Sequence, residues 1–144
     1  MEDVYPRSTP AGLKIITPRH KKLCNQFIVW LGGTGRTVLG RERNRVDVEF
    51  RDGSRLCRAE LKVCYGMTAR LAIREALGQL LEYNYYGWRT PAEQWFVVLD
   101  SAPSKDDVKY VQTLGSKKHL PLFLCWKSDH GFKQIPVRHN GPQN

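Results

Sequence analysis

The sequence lacks any apolar run near the ~20 residues that a bilayer-spanning helix requires, so no membrane-spanning helix is expected. It has no C-x-x-C pair. The four cysteines, at positions 24, 57, 64 and 125, stand apart, and their spacing with His20, His119, His130 and His139 matches no zinc module. They read as reduced thiols of an intracellular protein, cytoplasmic, or nuclear in a eukaryote. The opening Met1-Glu2-Asp3-Val4-Tyr5-Pro6 has neither a basic start nor an apolar core, so no secretory leader is expected. No internal repeat is visible. Gly32-Gly33-Thr34-Gly35 follows a helical pattern and lacks the Gly-Lys-Ser/Thr ending of a phosphate loop. Acidic residues are scarce: 14 Asp+Glu stand against 23 Lys+Arg, a net charge of +9. That imbalance points to a polyanionic partner, nucleic acid before an anionic membrane surface.

What is present is ordinary globular material, 144 residues with 41% hydrophobic and 26% charged side chains. This length and composition fit one domain. Residues 1–17 carry Pro6 and Pro10 without periodicity and read as a flexible lead-in; 18–137 read as the domain and 138–144 as a loose tail. Thr17-Pro18 is a helix start, and a helix to about Leu31 buries Leu23, Phe27, Trp30 and Leu31. A short strand begins at Thr37-Val38-Leu39. Residues 45–50 then alternate, with Val46, Val48 and Phe50 on one face and Arg45, Asp47 and Glu49 on the other. Asp52-Gly53 signals a hairpin. The third strand places Cys57, Ala59, Leu61 and Val63 on the apolar face and Arg58, Glu60 and Lys62 on the other.

Met67 to about Tyr86 reads as a long helix with a stripe of Ile73, Ala76, Leu77, Leu80 and Leu81. Gln94–Leu99 is a strand, Ser104 caps a helix to about Lys117, Leu120–Trp126 is a last core strand, and 132–137 adds an edge. The order defines an α/β fold with a central mixed sheet flanked by helices.

The chemistry concentrates on the hairpin's polar face. A turn centred on Asp52-Gly53 pairs Phe50 with Arg55, Val48 with Cys57 and Val46 with Ala59, and sets Asp47 opposite Arg58 and diagonal to Glu60. Two carboxylates on one face are able to share a hard cation, and Mg²⁺ needs only one or two of them. Lys62 projects from the same face. Phosphodiester hydrolysis uses these parts: a metal that activates water, and a cation beside the charged phosphate. The competing arrangement is a solvated sheet face with Arg58–Asp47 and Glu60–Lys62 pairs.

Val46-Asp47-Val48, then Glu60-Leu61-Lys62, then Gln79-x-x-x-Tyr83 on the following helix resemble the PD-(D/E)XK, or restriction-endonuclease-like, nuclease superfamily, with its αβββαβ core. The resemblance covers about residues 18–126 and extends to the Mrr-like and RecB-like branches. No proline precedes Asp47, and Leu77 stands where the RecB-type helix has an arginine. The resemblance implies a Mg²⁺-dependent endonuclease, with Mn²⁺ as a substitute, that hydrolyses DNA and leaves 5′-phosphates. It makes Asp47, Glu60 and the Leu61 carbonyl metal ligands, Lys62 the water-orienting cation and Gln79 a catalytic helper, with Tyr83 and His20 in support; strand parity adds Glu49 as a candidate second acid on the Asp47 face. Arg36, Arg41, Arg43, Arg45, Arg58, Arg70 and Arg74 are expected to contact phosphates. A duplex cut implies a homodimer, a larger assembly or two encounters. A non-catalytic nucleic-acid-binding module of the same fold, or an RNA-cleaving or toxin-like nuclease, is the alternative.

Overall fold

The structure is a computed structural model that describes residues 17–43, 46–64, 69–86 and 90–138. The expected lead-in over 1–16, Asn44 and Arg45, the helix start at Met67, its stop at Gly87 and the tail 139–144 lie outside the described residues.

Thr17 caps the first helix, α1 (Pro18–Gly33): its hydroxyl accepts from the His20 N–H, and Pro18 fills the first turn where no donor is needed. Three strands follow: β1 (Thr37–Arg43), β2 (Val46–Asp52) and β3 (Arg55–Lys62). They form an antiparallel meander with a bulge between Val38 and Gly40. Helix α2 (Ala69–Tyr85) crosses to β4 (Gln94–Leu99), and α3 (Lys105–Lys118) crosses to β5 (Leu122–Ser128); both of these strands continue the sheet in parallel. β6 (Gly131–Ile135) closes the sheet antiparallel to β5. The six strands lie in chain order, so the mixed α/β sheet has a local half and a crossover half that meet at β3.

Each face of the sheet has its own core. On one, Leu23, Phe27 and Leu31 of α1 pack on Val48, Phe50, Ala59, Leu61 and Phe96. On the other, Ile73, Ala76 and Leu80 of α2 and Val111 of α3 pack on Trp95, Val97, Leu99 and Leu124. Leu81, expected in the α2 stripe, is instead 39% exposed. The stripe is narrower than the hydropathy suggested, because Tyr83 and Asn84 take up burial at its far end.

Two expectations are corrected. The hairpin register is displaced by two residues: Asp52 pairs with Arg55, Phe50 with Cys57 and Val48 with Ala59. Gly53, at φ 61°, occupies the first loop position with Ser54 after it, as a type II′ turn requires. Asp52 stays in the strand because Arg36 and Arg138 both bind its carboxylate. A shift of two preserves the faces but changes every partner. Second, Arg138 is not loose: its guanidinium also donates to the Thr34 carbonyl at 2.6 Å.

At the end of α3, His119 adopts a left-handed conformation, φ 57°, in the position glycine usually takes. His119→Gly is expected to stabilise the fold by about 0.5–1 kcal/mol, read as a higher urea midpoint with an unchanged slope.

Candidate active site

The corrected register builds the site. Beyond the last β2–β3 pair, Val48–Ala59, stand Asp47 and Glu60. There the carboxylates replace the ladder. Asp47 Oδ2 accepts from the Leu61 N–H at 2.8 Å, and Glu60 Oε1 accepts from the Asp47 N–H at 3.3 Å. Each acid is thus fixed by the opposite strand's backbone, and both are 0% exposed. Arg58 does not oppose Asp47. It faces Glu49, binds it at 2.9 Å, and donates further to Asn84 Oδ1 and the Thr90 carbonyl. The Glu60 face of the hairpin is therefore buried under α2, not solvated.

Two further elements, and the end of β3, add polar side chains. From α1, His20 Nε2 lies 3.3 Å from Asp47 Oδ2. From β3, Lys62 is 7% exposed and its Nζ lies 3.4 Å from Glu75 Oε1 of α2. Also on α2, Gln79 Nε2 donates to the Tyr83 hydroxyl at 3.4 Å. His20 Nδ1 and Gln79 Oε1 are buried with no hydrogen-bond partner among the described residues. An unsatisfied buried polar atom is unfavourable by about 1–3 kcal/mol. Leu61, whose carbonyl is the third expected ligand, is tied to Asp47 through its N–H.

The structure brings together Asp47, Glu60, Leu61 and His20 directly, with Lys62, Gln79 and Tyr83 in the adjoining β3–α2 layer. It does not bring in Glu49, which is held by Arg58. Arg36 is not a phosphate contact: it is 4% exposed, bound to Asp52 and Gln134 and stacked among Trp30, Phe50 and Phe96. Arg58 is likewise interior. Arg41 is exposed and bound to Asn25, and Arg70 and Arg74 are exposed on α2. Arg43 lies in β1, and its side chain is outside the described set. Glu75 escaped the sequence reading. Its signal was present: Glu75, Gln79 and Tyr83 recur every fourth residue and share a helix side.

Among the described residues, no three His, Cys, Asp or Glu side chains are grouped to hold a metal ion. A hard Mg²⁺ ion is commonly bound by one or two carboxylates and retains several waters, so the Asp47–Glu60 pair has the right donor chemistry. Burial pushes the Cys57 and Cys125 thiols up to about 12, so neither is a nucleophile near neutral pH.

No family model, no curated protein and no solved structure matches this chain. No helix among the described residues is long and apolar enough to cross a membrane.

Proposed function

We propose that this protein is a metal-dependent nuclease of the PD-(D/E)XK type that hydrolyses DNA phosphodiester bonds. One observation carries the reading: Asp47 and Glu60, both 0% exposed, are fixed side by side where β2 and β3 part. Two buried carboxylates repel each other and bind a proton or a cation to relieve the repulsion. A module meant only to bind phosphate gains nothing from two anions there.

Asp47 and Glu60 would hold Mg²⁺, with the Leu61 carbonyl as a third ligand. Bound Mg²⁺ supplies Lewis acidity and lowers the pKa of water. His20 orients the Asp47 carboxylate from α1. Lys62 places a positive charge beside the attacking water and the scissile phosphate, and Glu75 steadies it at rest. Gln79, braced by Tyr83, would supply its carbonyl as a hydrogen-bond acceptor. Products would carry 5′-phosphate and 3′-hydroxyl ends.

The test is cleavage of supercoiled plasmid and of a labelled single strand in Mg²⁺, Mn²⁺ and EDTA, with Lys62→Ala alongside. Metal-dependent cutting by the wild type that Lys62→Ala loses is the expected result. A folded wild type that binds DNA equally in EDTA and cuts nothing would establish a binding module instead. Binding itself should weaken steeply with salt. Arg70→Ala and Arg74→Ala are each expected to flatten the slope of log affinity against log salt by about one, measured by fluorescence anisotropy.

A further inference from the structure

A second concave feature lies away from the acids. Between the outer side of α1 and the β5–β6 turn is a cleft of about 560 Å³. Its walls are the rings of Trp30 and Phe132, 5.4 Å apart between centroids. Gly131, at φ 109°, presses the turn against Trp30: a Cβ there would lie 2.8 Å from the indole. The indole is thereby held in place, so the walls are preformed. The rim is polar, with the carboxamides of Asn25 and Gln26, the Asp129 carboxylate and the Lys127 ammonium.

This composition suits a nucleobase better than a phosphate. A flat aromatic partner would stack on the half-buried Trp30 ring, with the buried Phe132 behind it. Amides and a carboxylate read donor and acceptor edges, as Asn and Gln do with adenine and Asp does with the cytosine amino group. A phosphate would meet Lys127 but also Asp129 and apolar walls. Charge connects the cleft to the acids: Lys21 and Lys22 are exposed on α1 between His20 and Gln26, and Arg41 is tied to Asn25 at 2.6 Å. From His20 to Trp30 the helix runs about 15 Å, the span of roughly four stacked nucleotides.

We propose that this cleft takes one unpaired base of the substrate strand, about four nucleotides from the scissile phosphate. The inference rests on the nuclease reading and adds to it a preference for single-stranded or frayed DNA, because a paired base has its hydrogen-bonding edge and both faces already engaged.

The experiment uses 5′-labelled 12-mers carrying a single abasic residue at successive positions. Binding is measured in EDTA and cleavage in Mg²⁺ for the wild type and for Val29→Glu. Val29 lines the cleft and is 75% exposed, so its replacement leaves the core intact. Gln26→Ala serves as a second variant should Val29→Glu fold poorly. One abasic position is expected to weaken binding about tenfold to a hundredfold, and the cleft variant should erase that dependence. A wild type that cuts plasmid but binds every abasic oligonucleotide alike would overturn the cleft and leave the nuclease standing. Position-dependent binding lost in the variant, without cutting in any metal, would overturn the nuclease and leave the cleft as a base-binding site.

Discussion

Glu60→Gln is expected to abolish metal-dependent cleavage, by about 10³-fold or more, while making the protein more stable in EDTA. The substitution is nearly isosteric, and its carbonyl still accepts from the Asp47 N–H, so the strand geometry survives. What it removes is one of two adjacent buried carboxyl groups. In the metal-free protein that pair opposes folding, through repulsion or through the proton it must take up, and its relief should contribute about 1–2 kcal/mol, or a melting temperature about 3–8 °C higher. Adding Mg²⁺ should raise the wild-type melting temperature through linkage and leave Glu60→Gln unmoved. Scanning calorimetry of both proteins with and without Mg²⁺ checks this. A Glu60→Gln protein less stable than wild type in EDTA would mean the acid serves structure, and the active-site reading would fall with it.

The largest loss of stability should come from Asp52→Ala, about 3–5 kcal/mol. Among the described residues, Asp52 is the carboxylate that pairs with the buried Arg36 guanidinium, and it also anchors Arg138. Removing it leaves Arg36 charged, interior and uncompensated, with Nη1 already unpartnered. Urea unfolding measures the loss, and Arg36→Met in the same chain should recover much of it, since an apolar replacement relieves the stranded charge. The same group sets an acid limit. Burial pushes the Asp52 carboxyl up, but the hydrogen bonds from Arg138 and Arg36, with their charges, prevail and hold it below its ordinary 3.8. Its folded pKa is therefore lower than its unfolded one. Its contribution is complete above the unfolded value and is lost as pH falls through the folded value. Asp52→Ala should flatten the acid limb of the stability curve.

Strand parity made the faces of β2 and β3 legible in the sequence, and with them Asp47, Glu60 and Lys62, because side chains alternate whatever the register. The register itself was not legible. Asp52-Gly53 looks like the turn, and only the distant Arg36 and Arg138, which tertiary packing brings to Asp52, hold Asp52 in the strand. That same shift seats Arg58 on Glu49 and leaves Asp47 beside Glu60. Arg36 and Arg58 looked like surface cations because charge is counted from sequence and burial is not. The apolar interior around Arg36 is assembled from Trp30, Phe50 and Phe96, residues far apart in the chain. Tyr83 was readable as a neighbour of Gln79 from the helical repeat, and Glu75 by the same rule.

The meander has a consequence for the order of assembly. Its strands are joined by short connections and pair locally, on a timescale of about microseconds for a hairpin. The parallel pairing of β3 with β4 requires the whole α2 crossover. Asp47 and Glu60 therefore meet while still open to water, where their repulsion is screened. The free-energy penalty falls due only when α2 docks and seals them in. On the nuclease reading, a cation bound between the acids would act late in folding, once α2 covers their face of the sheet.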